Sequence, residues 1–294
     1  MKGSRILDIK KETCEALMPQ GELNSPDEIE NSIITKYRKK FWTKFIKAIK
    51  EYKLIEQGDK IAVAISGGKD SLLMAKLFQE LQRHGIANFD VEFIAMDPGY
   101  HPGIKELLMK NCNHLKIPIH LFEYKVFEIA EKKAKDYPCY ICAKMRRGAL
   151  YGKAKELGCN KVALGHHYND VIETTMLNLF YTGNFKTMLP KLKAQNFEGM
   201  ELIRPLYLIV EKDILQFTEE HGIWPLNCAC MVASKKTGSK REEMKEYIDE
   251  IKERFPYVDR MIFRAGHNVN MDCIIGWQKN GEKHTYLDEY HEDE

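Results

Sequence analysis

Within six residues, Ser66-Gly67-Gly68-Lys69-Asp70-Ser71 brings together two glycines, a lysine and two hydroxyls. That combination is suited to gripping phosphate. Glycines let the backbone come close to an anion and turn its N–H groups inward, and a helix starting at once adds the positive end of its dipole. Lys69 supplies a formal charge, and Ser66 and Ser71 supply donors. The spacing differs from G-x-x-x-x-G-K-S/T, so this is not a Walker A loop. A lone glycine pair would be an ordinary turn with a solvated lysine. A strand, SGGKDS and a helix in direct succession favour phosphate binding. The second chemical signal is sulfur. Of eight cysteines, four fall in two tight pairs, Cys139-x-x-Cys142 and Cys228-Ala229-Cys230. Thiolates are soft ligands suited to zinc or to an iron–sulfur cluster. A structural zinc held by all four is one reading of them, and cluster chemistry is the other.

The elements that must position these groups follow from hydrophobic periodicity. Apolar runs at 61–65, 91–96, 119–122, 162–165 and 202–204 are expected strands. Helical spacing covers 72–81, 104–115, 126–134, 143–157, 170–181, 211–222 and 239–255. Their alternation implies right-handed βαβ units and a doubly wound parallel sheet, an α/β fold with helical N- and C-terminal extensions. Ligands in such sheets bind beyond the carboxyl ends of the strands. The expected domains are 1–57, an extension carrying a basic amphipathic helix; 58–225, the sheet domain carrying the glycine–lysine loop; and 226–294, the second cysteine pair, a charged helix and a tail. Ser25-Pro26-Asp27 is a candidate helix cap. The spacing of Tyr37, Phe41, Phe45 and Ile49 predicts a helix over 37–52, its aromatic face directed to core or dimer packing.

The chain has 294 residues, 44% of them hydrophobic, enough to bury a full core, and 30% are charged, which excludes a disordered chain or a membrane protein. No apolar leader opens the sequence, so a cytoplasmic location and reduced thiols are expected. Net charge is only +2, yet 36–53 holds eight basic residues against Glu51. Candidate nucleic-acid contacts are Lys40-Lys44-Lys47, Arg146-Arg147, Lys186, Lys191 and Lys235-Lys236-Lys240-Arg241. Charge runs of this kind are more often solvated helix faces.

SGGKDS resembles the PP-loop of the N-type ATP pyrophosphatases, which hold ATP and break its α–β phosphate bond. The resemblance implies that Ser66, Gly67, Gly68, Lys69, Asp70 and Ser71 grip the departing pyrophosphate. It further implies that Asp97 and the Gly165-His166-His167 turn flank the nucleotide, and that Asp170 helps to hold Mg2+ beside Lys69 and Asp70. Asp170 is equally placed to cap the helix it opens. PCYICAKMRRGALY, LGHHYNDVIETTMLNLFYTGNFKTMLPKL and IRPLYLIVEKDI together are similar to tRNA 2-thiocytidine synthetase of the TtcA type, over most of the chain from about Lys60 onward. In that family three cysteines hold a 4Fe–4S cluster and leave one iron open to sulfide. By this resemblance the ligands are Cys139, Cys142 and Cys228, with Cys230 as the alternative third because the family's P-C-x-x-C stands here as N-C-A-C. It also implies ATP and tRNA as substrates, a cysteine desulfurase or other sulfide donor, and no membrane partner. A tRNA 2-thiouridine-forming relative and a non-sulfur PP-loop ligase or amidase with a structural zinc are the competing readings.

Overall fold

A computed structural model of the chain describes residues 22–85, 88–100, 102–124, 138–226, 240–288 and 290, with the side chains of 138–143 excluded. Six strands, β1 (Lys60–Ala64), β2 (Asp90–Asp97), β3 (Ile119–Glu123), β4 (Lys161–Ala163), β5 (Lys191–Lys193) and β6 (Glu201–Ile203), form one sheet in the order β3-β2-β1-β4-β6-β5. Every pairing is parallel except the antiparallel edge pair β5–β6. The doubly wound expectation therefore holds, with β5 as the departure. That strand has three residues and exists through its pairing with β6, so its own sequence carried no strand signal. From β1 the chain builds outward through β2 to β3, then returns to lay β4 on the other side of β1. The order reverses between β1 and β4, and a crevice opens at their carboxyl ends.

The helices are α1 (Pro26–Ile34), α2 (Trp42–Glu51), α3 (Lys69–His84), α4 (Pro102–His114), α5 (Pro138–Glu156), α6 (Tyr168–Thr182), α7 (Glu211–Glu220), α8 (Lys240–Arg254) and α9 (Val258–Ala265). Side chains alternate along β1. Ile61 and Val63 join a core with α1, α2, α3 and α7, while Ala62 joins Val162, Leu202, Tyr151 and Ala154 on the opposite face. Ser25 caps α1 in a capping box with Glu28, and Pro26 opens the helix. The helix predicted over 37–52 begins only at Trp42. Residues 35–41 form a wide turn in which Tyr37 N bonds to Ser32 O and Thr43 N to Arg38 O. Its aromatic face is core all the same: Tyr37 and Phe41 stack at 5.0 Å, and both meet Phe217 edge-on at 5.3 Å. The segment 126–134 expected as helical lies outside the described residues.

The chain divides into two compact units, Met1–Val171 with Met188–Ser239, and Ile172–Thr187 with Lys240–Glu294. The sheet and the crevice belong to the first. In the second, Met244 and Ile248 of α8 are buried, and Arg241 pairs with Glu173. A hairpin of β7 (Gly276–Lys279) and β8 (Glu282–Thr285) turns at Asn280-Gly281, both at positive φ. Among the described residues no helix is long and apolar enough to cross a membrane.

Candidate active site

The loop after β1 is held open by its own hydroxyls. Ser71 Oγ accepts from Ser66 N at 3.2 Å and donates to Gly68 O at 2.9 Å, while Ser66 Oγ accepts from Gly68 N at 3.3 Å. Gly67 has φ +82°, and a Cβ there would lie 2.5 Å from Leu226 Cδ1. Glycine is thus required twice, for conformation and for space. Leu226 N bonds to Gly67 O at 2.9 Å, stitching the run after α7 onto the loop. Gly68 caps α3, so Lys69 and Asp70 occupy its first turn, where N–H groups lack intrahelical acceptors. On the other side of the switch point, a Cβ on Gly165 would sit 3.3 Å from the backbone of Asp70 and Ser71. The turn after β4 therefore touches the phosphate loop, and the crevice joins the two.

Lys69 Nζ lies 3.2 Å from Asp70 Oδ2 and 3.1 Å from Glu211 Oε1. Burial pushes its pKa down, but the carboxylates of Asp70 and Glu211 outweigh burial and raise it, so it stays charged. Burial drives Asp70 the other way: its pKa rises despite the pull of Lys69 and His167. Asp70 Oδ1 is buried and has no hydrogen-bond partner among the described residues. His167 is buried, with Nε2 3.9 Å from both Asp70 Oδ1 and Glu211 Oε1 and Nδ1 3.3 Å from Asp170 Oδ2. Asp170 Oδ2 accepts from His167 N at 2.9 Å, so Asp170 does cap α6, and it stands beside the loop as well.

Of the two histidines in that turn, His167 is buried and faces Asp70 and Glu211, and His166 is half-buried. Glu211 was not singled out as a site residue. It reaches Lys69 because Asn169 Oδ1 accepts from Glu211 N at 3.0 Å, fastening the start of α7 beside α6. The signal available was its place in IRPLYLIVEKDI, opening a helix.

Asp97 ends β2, buried, with Oδ1 accepting from Gly99 N at 2.9 Å and Tyr100 N at 2.7 Å and Oδ2 paired with Lys105 at 3.2 Å. Those donors and Lys105 overcome burial and hold its pKa below the usual carboxylate value. These bonds fix the turn that follows β2, one strand away from the phosphate loop. Cys139 and Cys142 lie in the opening turns of α5, whose side chains there are not described; Cys228 and Cys230 lie outside the described residues. Of the basic sets, several are committed to carboxylates. Lys40 pairs with Asp213, Lys47 with Glu51, and Lys191 with Glu56 and Glu201. Lys235 and Lys236 lie outside the described residues.

Among the described residues no three His, Cys, Asp or Glu side chains converge tightly enough to hold a metal ion by themselves. Mg2+ usually takes one or two carboxylates and completes its shell with water and substrate phosphates. The orphaned Asp70 oxygen beside a phosphate loop fits that pattern.

A PP-loop domain family matches residues 37–225. The tRNA-cytidine(32) 2-sulfurtransferase of Pelobacter propionicus is 38% identical over 80% of this chain and 87% of its own. The protein of that name from Geobacter metallireducens is 37% identical over 76% and 87%. Among solved structures, the U34-tRNA thiolase NcsA of Methanococcus maripaludis, with its 4Fe–4S cluster, has a TM-score of 0.62 at 24% identity, covering 80% of this chain and 81% of that one. That likeness concerns the fold.

Proposed function

The chain belongs to the PP-loop family and, within it, to the tRNA-cytidine(32) 2-sulfurtransferases, and from that premise we propose how its residues exchange the oxygen of a tRNA cytidine for sulfur. The carbonyl oxygen of a pyrimidine is a poor leaving group. Its attack on the α-phosphorus of ATP forms a P–O bond, breaks the α–β bridge and releases pyrophosphate. The base oxygen is then part of a phosphate ester. When sulfur bonds to the ring carbon, the C–O bond breaks and its electron pair departs on AMP.

The observation that carries this reading is the Ser66–Ser71 loop at the switch point, closed against Gly165. Its N–H groups and the start of α3 face the β- and γ-phosphates, and Lys69 exchanges Asp70 and Glu211 for the pyrophosphate as charge develops there. Asp70 and Asp170 hold Mg2+, with Glu211 and His167 fixing their surroundings; a magnesium ion so bound neutralises phosphate charge. Asp97 and the Gly165-His166 turn flank the nucleotide. Cys139, Cys142 and Cys228, or Cys230 in its place, hold a 4Fe–4S cluster, which when bound supplies the sulfur. Thiolates are the ligands that iron–sulfur clusters take. Residues 58–225 carry ATP binding and catalysis, and 226–294 contribute the third ligand. A sulfide donor such as a cysteine desulfurase, a homodimer and a cytoplasmic location complete the proposal.

The test is twofold. tRNA from cells lacking the protein should lose 2-thiocytidine, and anaerobically purified protein should carry iron and absorb in the visible. Loss of 2-thiouridine in its place, or a colourless zinc protein active without iron, would overturn the reading.

A further inference from the structure

One buried charge at the carboxyl end of the sheet is not used by the phosphate loop. Arg204 follows β6 directly and is 8% exposed. Nη1 donates to Leu189 O, and Nε is buried with no hydrogen-bond partner among the described residues. None of the described carboxylates forms an ion pair with it. Burial and a like charge, Arg147 on α5, push its pKa down to about 10, while Tyr151, Tyr207 and Asp170 act the other way. A buried guanidinium left this way is costly, and buried charges are retained where something pairs them.

Its position says what that partner is. Leu164 N bonds to Ile203 O, so Arg204 emerges beside the Gly165–Asp170 turn. Arg147 is exposed on the helix that opens with the Cys139–Cys142 pair. Arg204 thus borders the nucleotide turn, and Arg147, on the helix that opens with the cysteine pair, is near enough for its like charge to act on Arg204. We propose that Arg204 and Arg147 form a phosphate subsite that receives the phosphate esterifying the base oxygen and holds it until AMP departs. The subsite rests on the function proposed above. That ester carries one negative charge; once the C–O bond breaks and its electrons remain on oxygen, AMP leaves with nearly two. A guanidinium pair binds the second state more strongly, which favours departure. A phosphodiester of the RNA strand offers the same oxyanion chemistry, and the test separates the two sources.

Full-length protein and its Arg204→Met and Arg147→Ala variants are titrated with AMP, adenosine and pyrophosphate by calorimetry, and with tRNA at several salt concentrations. Arg204→Met should weaken AMP about tenfold or more, Arg147→Ala less, with adenosine and pyrophosphate unaffected. Unchanged AMP binding, with weaker tRNA binding and a shallower salt slope, supports the subsite but assigns it to the RNA strand. Wild-type binding of both AMP and tRNA overturns it and leaves Arg204 a packing residue for the Leu189 carbonyl, visible only as a change in Tm. If Arg204→Met does not fold, the exposed Arg147→Ala carries the same decision. A wild-type protein that binds AMP through these arginines yet forms no 2-thiocytidine would refute the proposed function and leave the subsite standing.

Discussion

The sheet has a largely buried lysine at each end, and the two are satisfied very differently. Lys161, at the amino end of β4, is 2% exposed and ringed by Asp59 at 2.7 Å, Glu56 at 3.1 Å, Glu201 at 3.4 Å and the Leu54 carbonyl at 3.2 Å. Lys69, at the carboxyl end of β1, is 19% exposed and meets Asp70 and Glu211 at 3.2 and 3.1 Å, beside an Asp70 oxygen with no hydrogen-bond partner among the described residues. A closed network of charges holds a fold together. One left incomplete at a switch point is arranged for a ligand to complete it. Burial and charge alone would have classed the two lysines together; the state of their partners separates them.

Removing each lysine should break the comparison if it is wrong. Lys69→Met is expected to lower AMP and pyrophosphate formation by about 10³-fold or more, since a charge aimed at the leaving pyrophosphate is lost. Its unfolding midpoint should fall less than that of the Lys161 variant, and its iron content should stay near that of the parent. Iron lost along with ATP turnover would mean that the two sites are not separable. Lys161→Met should do the reverse. It leaves Asp59 and Glu201 without their buried cation, at a cost of about 3–5 kcal/mol in urea unfolding, while the folded fraction still turns over ATP. Full stability in that variant would show that the amino-end network is not structural.

The glycines facing the crevice sharpen the contrast by degree. Gly67→Ala must force a left-handed backbone and push a methyl to 2.5 Å from Leu226. A loss of ATP affinity of at least about tenfold is expected from strain of this kind. Gly165→Ala meets its neighbours at 3.3–3.4 Å with ordinary φ, so a shift of tenths of an ångström relieves it and a smaller loss should follow. Titration with a non-hydrolysable ATP analogue ranks the two. The reverse order would mean that the closed β4 turn, not the loop conformation, governs nucleotide binding.

How much of this was visible in the sequence depends on how far the partners lie along the chain. SGGKDS was legible because strand, loop and helix are contiguous, and the alternation of apolar runs gave five of the six sheet strands. The aromatic face of 37–52, expected in core or dimer packing, is core, but the wide turn that interrupts it was not legible, because a turn with five-residue hydrogen bonds keeps nearly the same apolar spacing as a helix. Lys40 looked cationic because its partner, Asp213, is supplied by α7, far along the chain. Which histidine of the Gly165-His166-His167 turn faces inward was not legible because periodicity does not resolve one residue inside a tight turn, and Glu211 reaches Lys69 through tertiary contact alone. The hairpin at Asn280-Gly281 was legible and not read: that dipeptide between two short polar strands is a strong turn signal.

The smallest expected effect tests the comparison most directly, because one chemical change should act with opposite sign at the two ends. Asp70 has its pKa raised above the usual 3.8, with burial the largest cause. The native state therefore binds this proton more tightly than the unfolded chain, and the group's contribution to stability falls as pH rises from about 3.8 through the folded value. Above that window the whole penalty is present. Asp70→Asn replaces the carboxylate with a neutral group of the same shape, so the variant should unfold at higher urea than its parent at pH 7, although it has lost ATP turnover. That advantage should shrink as pH falls through the folded pKa and vanish below 3.8. Asp59→Asn, at the closed end, removes the carboxylate 2.7 Å from Lys161 and should lower the urea midpoint at pH 7. If both substitutions moved the midpoint in the same direction, the unfinished and finished networks would be energetically alike, and the incomplete bonding around Lys69 would no longer single it out as the place where ATP binds.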